Sequence, residues 1–246
     1  MRIYAIGDIH GQLGMLRAAH GLIAEDRKLC GDSTAPVVHL GDYCDRGPDT
    51  AGVIDFLIDG IAKGQPWRTV LGNHDRLFRD FVANASTTDA RLRADLNWLS
   101  PSMGGRDTLR SYGIENTTSL STDELHTEAT SHVPKSHCEF LAWLETYIEL
   151  GELIFVHAGI RPGIPMPDQA EDDLIWIRNG FLNDTTNHGK LIVHGHTPVE
   201  APMHCGNRVN LDTGAGYFHP LTVAVFEGRE CWVLGASGRK PLLPQT

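Results

Sequence analysis

Hydrophobic residues in this chain recur in short continuous runs, each of which stops at a cluster of Asp, His, Asn and Gly. Ile3–Ile6, Val37–Leu40, Arg68–Leu71, Glu152–Val156, Leu191–Val193 and Val209–Leu211 are such runs. Runs this short, bounded by turn residues, predict strands covered on both faces. Helical patterns lie between them. Leu13, Leu16, Ile23 and Leu29 predict one side of a helix over about 13–30. A second helix starts at Pro48 with Asp49 or Thr50, carries an apolar stripe of Val53, Ile54, Leu57, Ile58 and Ile61, and ends between Gly60 and Gly64. Leu221–Phe226 and Cys231–Leu234, joined by Glu227–Glu230, predict a closing hairpin. Strands alternating with helices predict an α/β fold.

Residues 76–150 break that alternation. Leu77, Phe78, Phe81 and Val82 predict a helix, and Leu92, Leu96 and Leu99 a second one stopped by Pro101. A short helix ends at Gly113, and Asn116–Ser121 reads as a polar loop. Ser136 with Glu139 reads as a capping box for a helix that turns Phe140, Leu141, Leu144, Tyr147 and Ile148 inward. The flanks are not linker-like, so the segment is expected to be a helical insertion at the mouth of the site, within one domain spanning 1–246.

Composition narrows the partners. A net charge of −10 argues against a nucleic-acid binder, which needs a basic face. It leaves anionic substrates open, because bound cations reverse a local field. The five cysteines are scattered without a C-x-x-C pair, which points away from disulfides and zinc ribbons and towards a reducing cytoplasm. No signal-like segment and no apolar run near ~18 residues occurs, so no membrane partner is expected.

The candidate chemistry sits where the runs end. Asp8 and His10 follow the first, Asp42, Asp45 and Arg46 the second, Asn73 and His74 the third, His157 the fourth and His196 the fifth. Ligands of open α/β sheets bind beyond the carboxyl ends of strands, so motifs distant in sequence can converge. Mixed carboxylate and imidazole donors suit Mn, Fe or Zn and are too rich in nitrogen for calcium. A shared carboxylate would give two ions ~3.5–4 Å apart, able to hold a hydroxide and clamp a phosphate. Arg46 and Arg178 suit the remaining phosphate charge as bidentate forks. His194 and His196 share a strand face, so periodicity does not separate them. His39 reads as a core histidine, and His20, His126, His132, His137, His188, His204 and His219 as surface. Asp75 reads as a helix cap, Cys44 as a small hydrophobe, and Asp212-Thr213-Gly214 as loop support.

Asp8-Ile9-His10-Gly11, Gly41-Asp42-x-x-Asp45-Arg46-Gly47, Gly72-Asn73-His74-Asp75, His157-Ala158-Gly159 and Gly195-His196 resemble the ordered signature of calcineurin-like metallophosphoesterases, and more narrowly their phosphoprotein phosphatase branch in its bacterial and phage form. The resemblance covers roughly residues 3–215. It implies a two-sheet β-sandwich flanked by helices. It also implies two divalent ions, with Mn²⁺ expected first. Asp8, His10 and Asp42 would hold one; Asp42, Asn73, His157 and His196 the other. His74 would protonate the leaving oxygen with Asp45 orienting it, and Arg46, Arg178 and Asn73 would hold phosphate. The expected activity is phosphomonoester hydrolysis on phosphoserine or phosphothreonine proteins or small phosphoesters. Dinucleoside polyphosphate hydrolysis is the enzymatic alternative; its resembling members usually lack the aspartate at position 45. A metal-binding scaffold is the non-enzymatic one.

Overall fold

Alternate residues of each strand enter different cores, which is why the strands read as continuous apolar runs. The computed structural model describes residues 1–245. One sheet contains β1 (Arg2–Ile6), β2 (Val37–His39), β3 (Trp67–Thr69), β9 (Val223–Glu227), β10 (Glu230–Gly235) and β11 (Gly238–Pro241), ordered β11-β10-β9-β1-β2-β3. The other contains β4 (Tyr147–Leu150), β5 (Leu153–Val156), β6 (Leu191–His194), β7 (Met203–His204) and β8 (Arg208–Asn210), ordered β4-β5-β6-β8-β7. Ile3, Ala5, Ala224 and Phe226 from the first sheet pack against Leu153, Phe155, Leu191 and Val193 from the second. Their neighbours Tyr4, Ile6, Val223, Val225, Ile154, Val156 and Ile192 point the other way, into the layers under the helices. The expected two-sheet sandwich flanked by helices is the observed architecture.

The topology places the site. β1, β2 and β3 are parallel neighbours, as are β5, β6 and β8. Each trio therefore sends its following loops to one edge. Helix α1 (Leu13–Cys30) and helix α2 (Thr50–Ala62) are the crossovers between the first three strands. In α1 the buried stripe is Leu16, Ala19, Ile23 and Asp26, and Leu29 is 81% exposed. Leu29 is six residues past Ile23 and falls off a stripe that recurs every three to four. Asp26 takes the inner place because Tyr4 and Arg239 donate to it, the hydroxyl at 2.7 Å.

The insertion departs from its sequence pattern. Helix α3 spans Asn73–Asn84, α4 Gly105–Ser111, α5 Thr122–His132 and α6 Lys135–Ala142. No helix forms over Leu92, Leu96 and Leu99; residues 85–104 are irregular. Asn97 makes a local turn through its side chain to Leu99 N, and Gly104 sits at φ 88° against Arg46. Asn116–Ser121 is irregular, as expected, and the capping box lies at Ser121 and Glu124, opening α5, a helix that was not anticipated; α6 opens at Pro134 instead. Tyr147 and Ile148 belong to β4, not to α6, and pair with β5. β7 and β11 were not anticipated. His137 and His204 are buried, against expectation: His137 bridges Tyr112 and Asp55.

A histidine pair sits behind the site. His39 Nδ1 donates to Arg68 O at 3.1 Å, leaving Nε2 to accept from His20 Nε2 at 3.0 Å, beneath Trp67. Burial first holds His39 down at about 4, and burial with the neighbouring His39 holds His20 at about 2. Both folded values lie below the unfolded one, so the fold favours neutral rings: the pair is fully tolerated above pH 6.5, and stability drains as pH falls towards 4. For His39 this amounts to about 3 kcal/mol. Urea unfolding of His39→Leu across this range should show a shallower acid loss than the wild type. Parallel pH profiles would contradict this role.

Candidate active site

Six loops from the two sheets meet at one edge, and they are held there by backbone contacts that force strained conformations. Ile9 N and His10 N both donate to Asp42 O, at 3.1 and 2.7 Å. His10, Asp42, Asp45, Arg46 and His196 all have φ between 47 and 72°. Each such residue costs on the order of 1 kcal/mol or more, and clustering of that strain is common at functional sites. Asp75 is the buried clamp. One of its oxygens accepts from Asp42 N at 2.8 Å and Gly72 N at 3.0 Å; the other accepts from Tyr43 N at 2.8 Å. So Asp75 does cap α3, as expected, but it also binds the loop after β2 to the loop after β3. Gly72 is required at this junction, since a Cβ would strike Asp42.

The imidazoles present lone pairs inward. His10 Nδ1 donates to Cys44 O at 2.9 Å and His157 Nδ1 to Leu40 O at 2.8 Å. A carbonyl only accepts, so each proton is on Nδ1 and each Nε2 is bare. His157 Nε2 faces Asn73 Oδ1 at 3.0 Å and Asp42 Oδ1 at 3.4 Å, and His10 Nε2 faces Asp42 Oδ2 at 3.5 Å. His196 Nδ1 is 2.9 Å from the same Asn73 oxygen. Asp8 Oδ2 accepts from His196 N at 2.9 Å, whereas Asp8 Oδ1 and His196 Nε2 are buried without a hydrogen-bond partner among the described residues.

This donor set fits divalent cations. Acceptors face acceptors, which is unfavourable unless positive charge lies between them. Burial pushes Asp8 well above the carboxylate range, with the charges of Asp212 and Asp42 adding to it, and burial pushes Asp42 up to about 6. Burial also holds His157 down at about 4 and His10 and His196 well below normal. Every shift removes charge or a proton from a site whose donors would be satisfied by metal. Donor atoms of Asp8, Asp42 and His157 lie within 4.8 Å of one another, and so do those of His10, Asp42 and His74. Asp42 is common to both groups.

His74 has other partners. Its Nδ1 donates to Asp45 Oδ2 at 2.6 Å; Asp45 is fully buried and also accepts from Trp98 Nε1 at 2.9 Å and Thr108 Oγ1 at 2.7 Å. Arg46 reaches both His10 Nε2 at 2.8 Å and His74 Nε2 at 2.9 Å and stacks 4.9 Å from the Tyr217 ring. Burial, then the Arg46 charge, hold His74 down at about 3, and burial pushes Asp45 up to about 7 against the donors Thr108 and Trp98. The ring is neutral while Arg46 occupies Nε2.

Asp8, His10, Asp42, Asn73, His74, His157 and His196 are all buried at this centre. Arg178 is exposed at the rim and lines the same cavity of about 440 Å³ with Arg46. His194 turns away, towards Gly195 O and Arg208, which separates it from His196. Sequence reading missed four contributors. Trp98 and Thr108 hold Asp45 across more than fifty residues, Asp212 faces Asp8, and Arg91 enters the cavity wall. Only Asp212, at the end of an apolar run, carried a signal of the same form as the other motifs. Asp75→Asn should cost about 2–3 kcal/mol of urea stability in EDTA, because its amide NH₂ would face a backbone donor. It should also weaken Mn²⁺ binding by calorimetry, although Asp75 is not placed among the metal donors. Unchanged metal affinity in a destabilised variant would contradict the clamp.

A profile of the calcineurin-like phosphoesterase family matches residues 1–225. A bis(5'-nucleosyl)-tetraphosphatase PrpE (asymmetrical) of Anoxybacillus flavithermus is 27% identical, over 88% of this chain and 87% of the relative. Serine/threonine-protein phosphatase 1 of Salmonella typhimurium is also 27% identical, over 90% of each chain. Among solved structures, a crystal structure assigned provisionally as a diadenosine tetraphosphatase superposes with a TM-score of 0.64, at 20% identity, over 98% of this chain and 94% of the other. With the family profile spanning most of its length, this protein belongs to the calcineurin-like phosphoesterases.

Proposed function

We propose that this protein hydrolyses dinucleoside tetraphosphates, using two divalent ions, Mn²⁺ first among them. The observation that carries the reading is one cavity in which the buried metal donors lie beside four arginines, Arg46, Arg91, Arg93 and Arg178, in a chain of net charge −10. Concentrated cations in an acidic protein suit an extended polyphosphate better than a single phosphoryl group. Arg91 pairs with Asp173 at 3.0 Å, and Arg93 pairs with Asp95. Arg46 and Arg178 have no carboxylate partner among the described residues and are the forks available to substrate. The tetraphosphatase relatives support the same reading. The Asp45-Arg46 pair had favoured phosphoserine proteins; the Salmonella relative keeps that as the second reading.

In this proposal Asp8, His10 and Asp42 hold one ion and Asp42, Asn73, His157 and His196 the other. Bound ions supply the positive charge that activates water and draws in a phosphoryl group. The chain's own residues do the rest. Arg46 leaves the two imidazoles for the phosphoryl oxygens, assisted by Arg178 and the Asn73 amide. That exposes His74 Nε2, which can then take up a proton from solvent and pass it to the leaving oxygen while Asp45 fixes Nδ1. The motifs contain no Ser or Cys nucleophile, and the Cys44 thiol is buried and pushed well up by burial, so water is the direct acceptor. We further propose one catalytic domain working in the cytoplasm, without nucleic-acid or membrane partners. In support, no described helix is long and apolar enough to cross a membrane and all five cysteines are free.

Metal-loaded protein should turn over diadenosine tetraphosphate far faster than a phosphoserine peptide, giving ATP and AMP by anion-exchange chromatography. Preference for the phosphopeptide would move the assignment to the second reading. On a slow alkyl phosphoester, His74→Asn should lower kcat by ~10²–10⁴ with metal content intact, and by much less on p-nitrophenyl phosphate. Equal losses on both esters would remove the general-acid role.

A further inference from the structure

The cavity has an apolar end that the metal donors and arginines leave unexplained. Helix α7 (Glu171–Trp176) ends there with Trp176, half-buried, which lines the same cavity as Leu92 and Leu96 of the irregular 85–104 segment and whose ring also meets that of His196 edge to face, 6.0 Å between centroids. The two walls are fastened together. Arg76 pairs with Asp89 at 2.6 Å and with Asp172 at 2.7 Å, and Arg91 joins Asp173. A gap bounded by a locked segment has a set width, and that is what a rigid flat group requires.

The backbone after Trp176 says what fills it. Ile177 has extended backbone, φ −61° and ψ 137°, and is itself buried. Extended backbone sends Trp176 and Arg178 to the same side, about 7 Å apart, and both line the cavity. A ring platform followed at that distance by an unpaired guanidinium matches a nucleotide read from base to phosphate. An aliphatic peptide side chain would fill the slot but bring no flat face.

We propose that Trp176, with Leu92 and Leu96, forms a nucleobase slot, and that Arg178 takes the phosphate attached to that nucleoside. The inference rests on the dinucleotide reading and names its specificity-determining residue. Stacking of a base on an aromatic side chain is typically worth ~1–3 kcal/mol, or about 5- to 150-fold in affinity.

The test compares AMP with ribose 5-phosphate, which has the same phosphate and no base, as competitive inhibitors of p-nitrophenyl phosphate turnover by Mn²⁺-loaded protein. Wild type should bind AMP at least 5-fold more tightly. Trp176→Leu should abolish that preference while leaving the ribose 5-phosphate constant within twofold, and Trp176→Phe should keep most of it. Equal inhibition by the two in the wild type would overturn the slot, and so would a loss in Trp176→Leu common to both ligands. Diadenosine tetraphosphate turnover is scored separately. Turnover without a base preference sinks the slot and keeps the activity; a base preference without turnover does the reverse.

Discussion

Buried lone pairs facing one another without protons between them are the constraint on which this structure turns. Among buried side chains, the bare His157 Nε2 faces both Asp42 and Asn73, and His10 Nε2, which also accepts from Arg46, faces Asp42. Each backbone carbonyl that fixes a histidine tautomer adds to the problem, since it commits the ring's only proton to the far nitrogen. An arrangement of this kind is costly in an empty protein. Bound cations would satisfy those lone pairs. The chain tolerates it because the surrounding core holds the loops from both sides.

That holding is done by a few long-range contacts. Asp75 ties the loop after β2 to the start of α3, and the amides after β1 reach the Asp42 carbonyl. The insertion reaches back with Trp98 and Thr108 to fix Asp45, which fixes His74. Arg46 connects the two halves of the chemistry. It occupies His10 and His74 together, so in the proposed mechanism its move towards phosphate would free a ligand nitrogen and an acid nitrogen at once. Under that proposal, anion binding and readiness of the acid would be linked through one side chain.

The strand-end motifs were legible because strands covered on both faces must be apolar, so Asp8, Asp42, Asn73, His157 and His196 stood out against them. Parallel order sends each trio's loops to one edge, and packing of the two sheets brings those edges together. The insertion was not legible for a related reason. Leu92, Leu96 and Leu99 keep helical spacing, yet Asn97 and the left-handed Gly104 bend the chain to build a cavity wall. α5 was masked by Thr127, Thr130 and Ser131, which bond back to the helix backbone and look like loop residues in sequence. The ion pairs of Arg76 with Asp172 and of Arg91 with Asp173 join positions more than eighty residues apart and leave no local pattern. Substrate class was hardest, because Asp45 and Arg46 serve phosphoryl chemistry of either kind.

The most direct test is anomalous diffraction from crystals of the Mn²⁺-loaded protein. The account predicts two adjacent peaks flanking the Asp42 carboxylate, one contacted by Asp8 and His10, the other by Asn73, His157 and His196, with Arg46 withdrawn from His10. A single peak away from Asp42, or none with Arg46 still on His10, would contradict it.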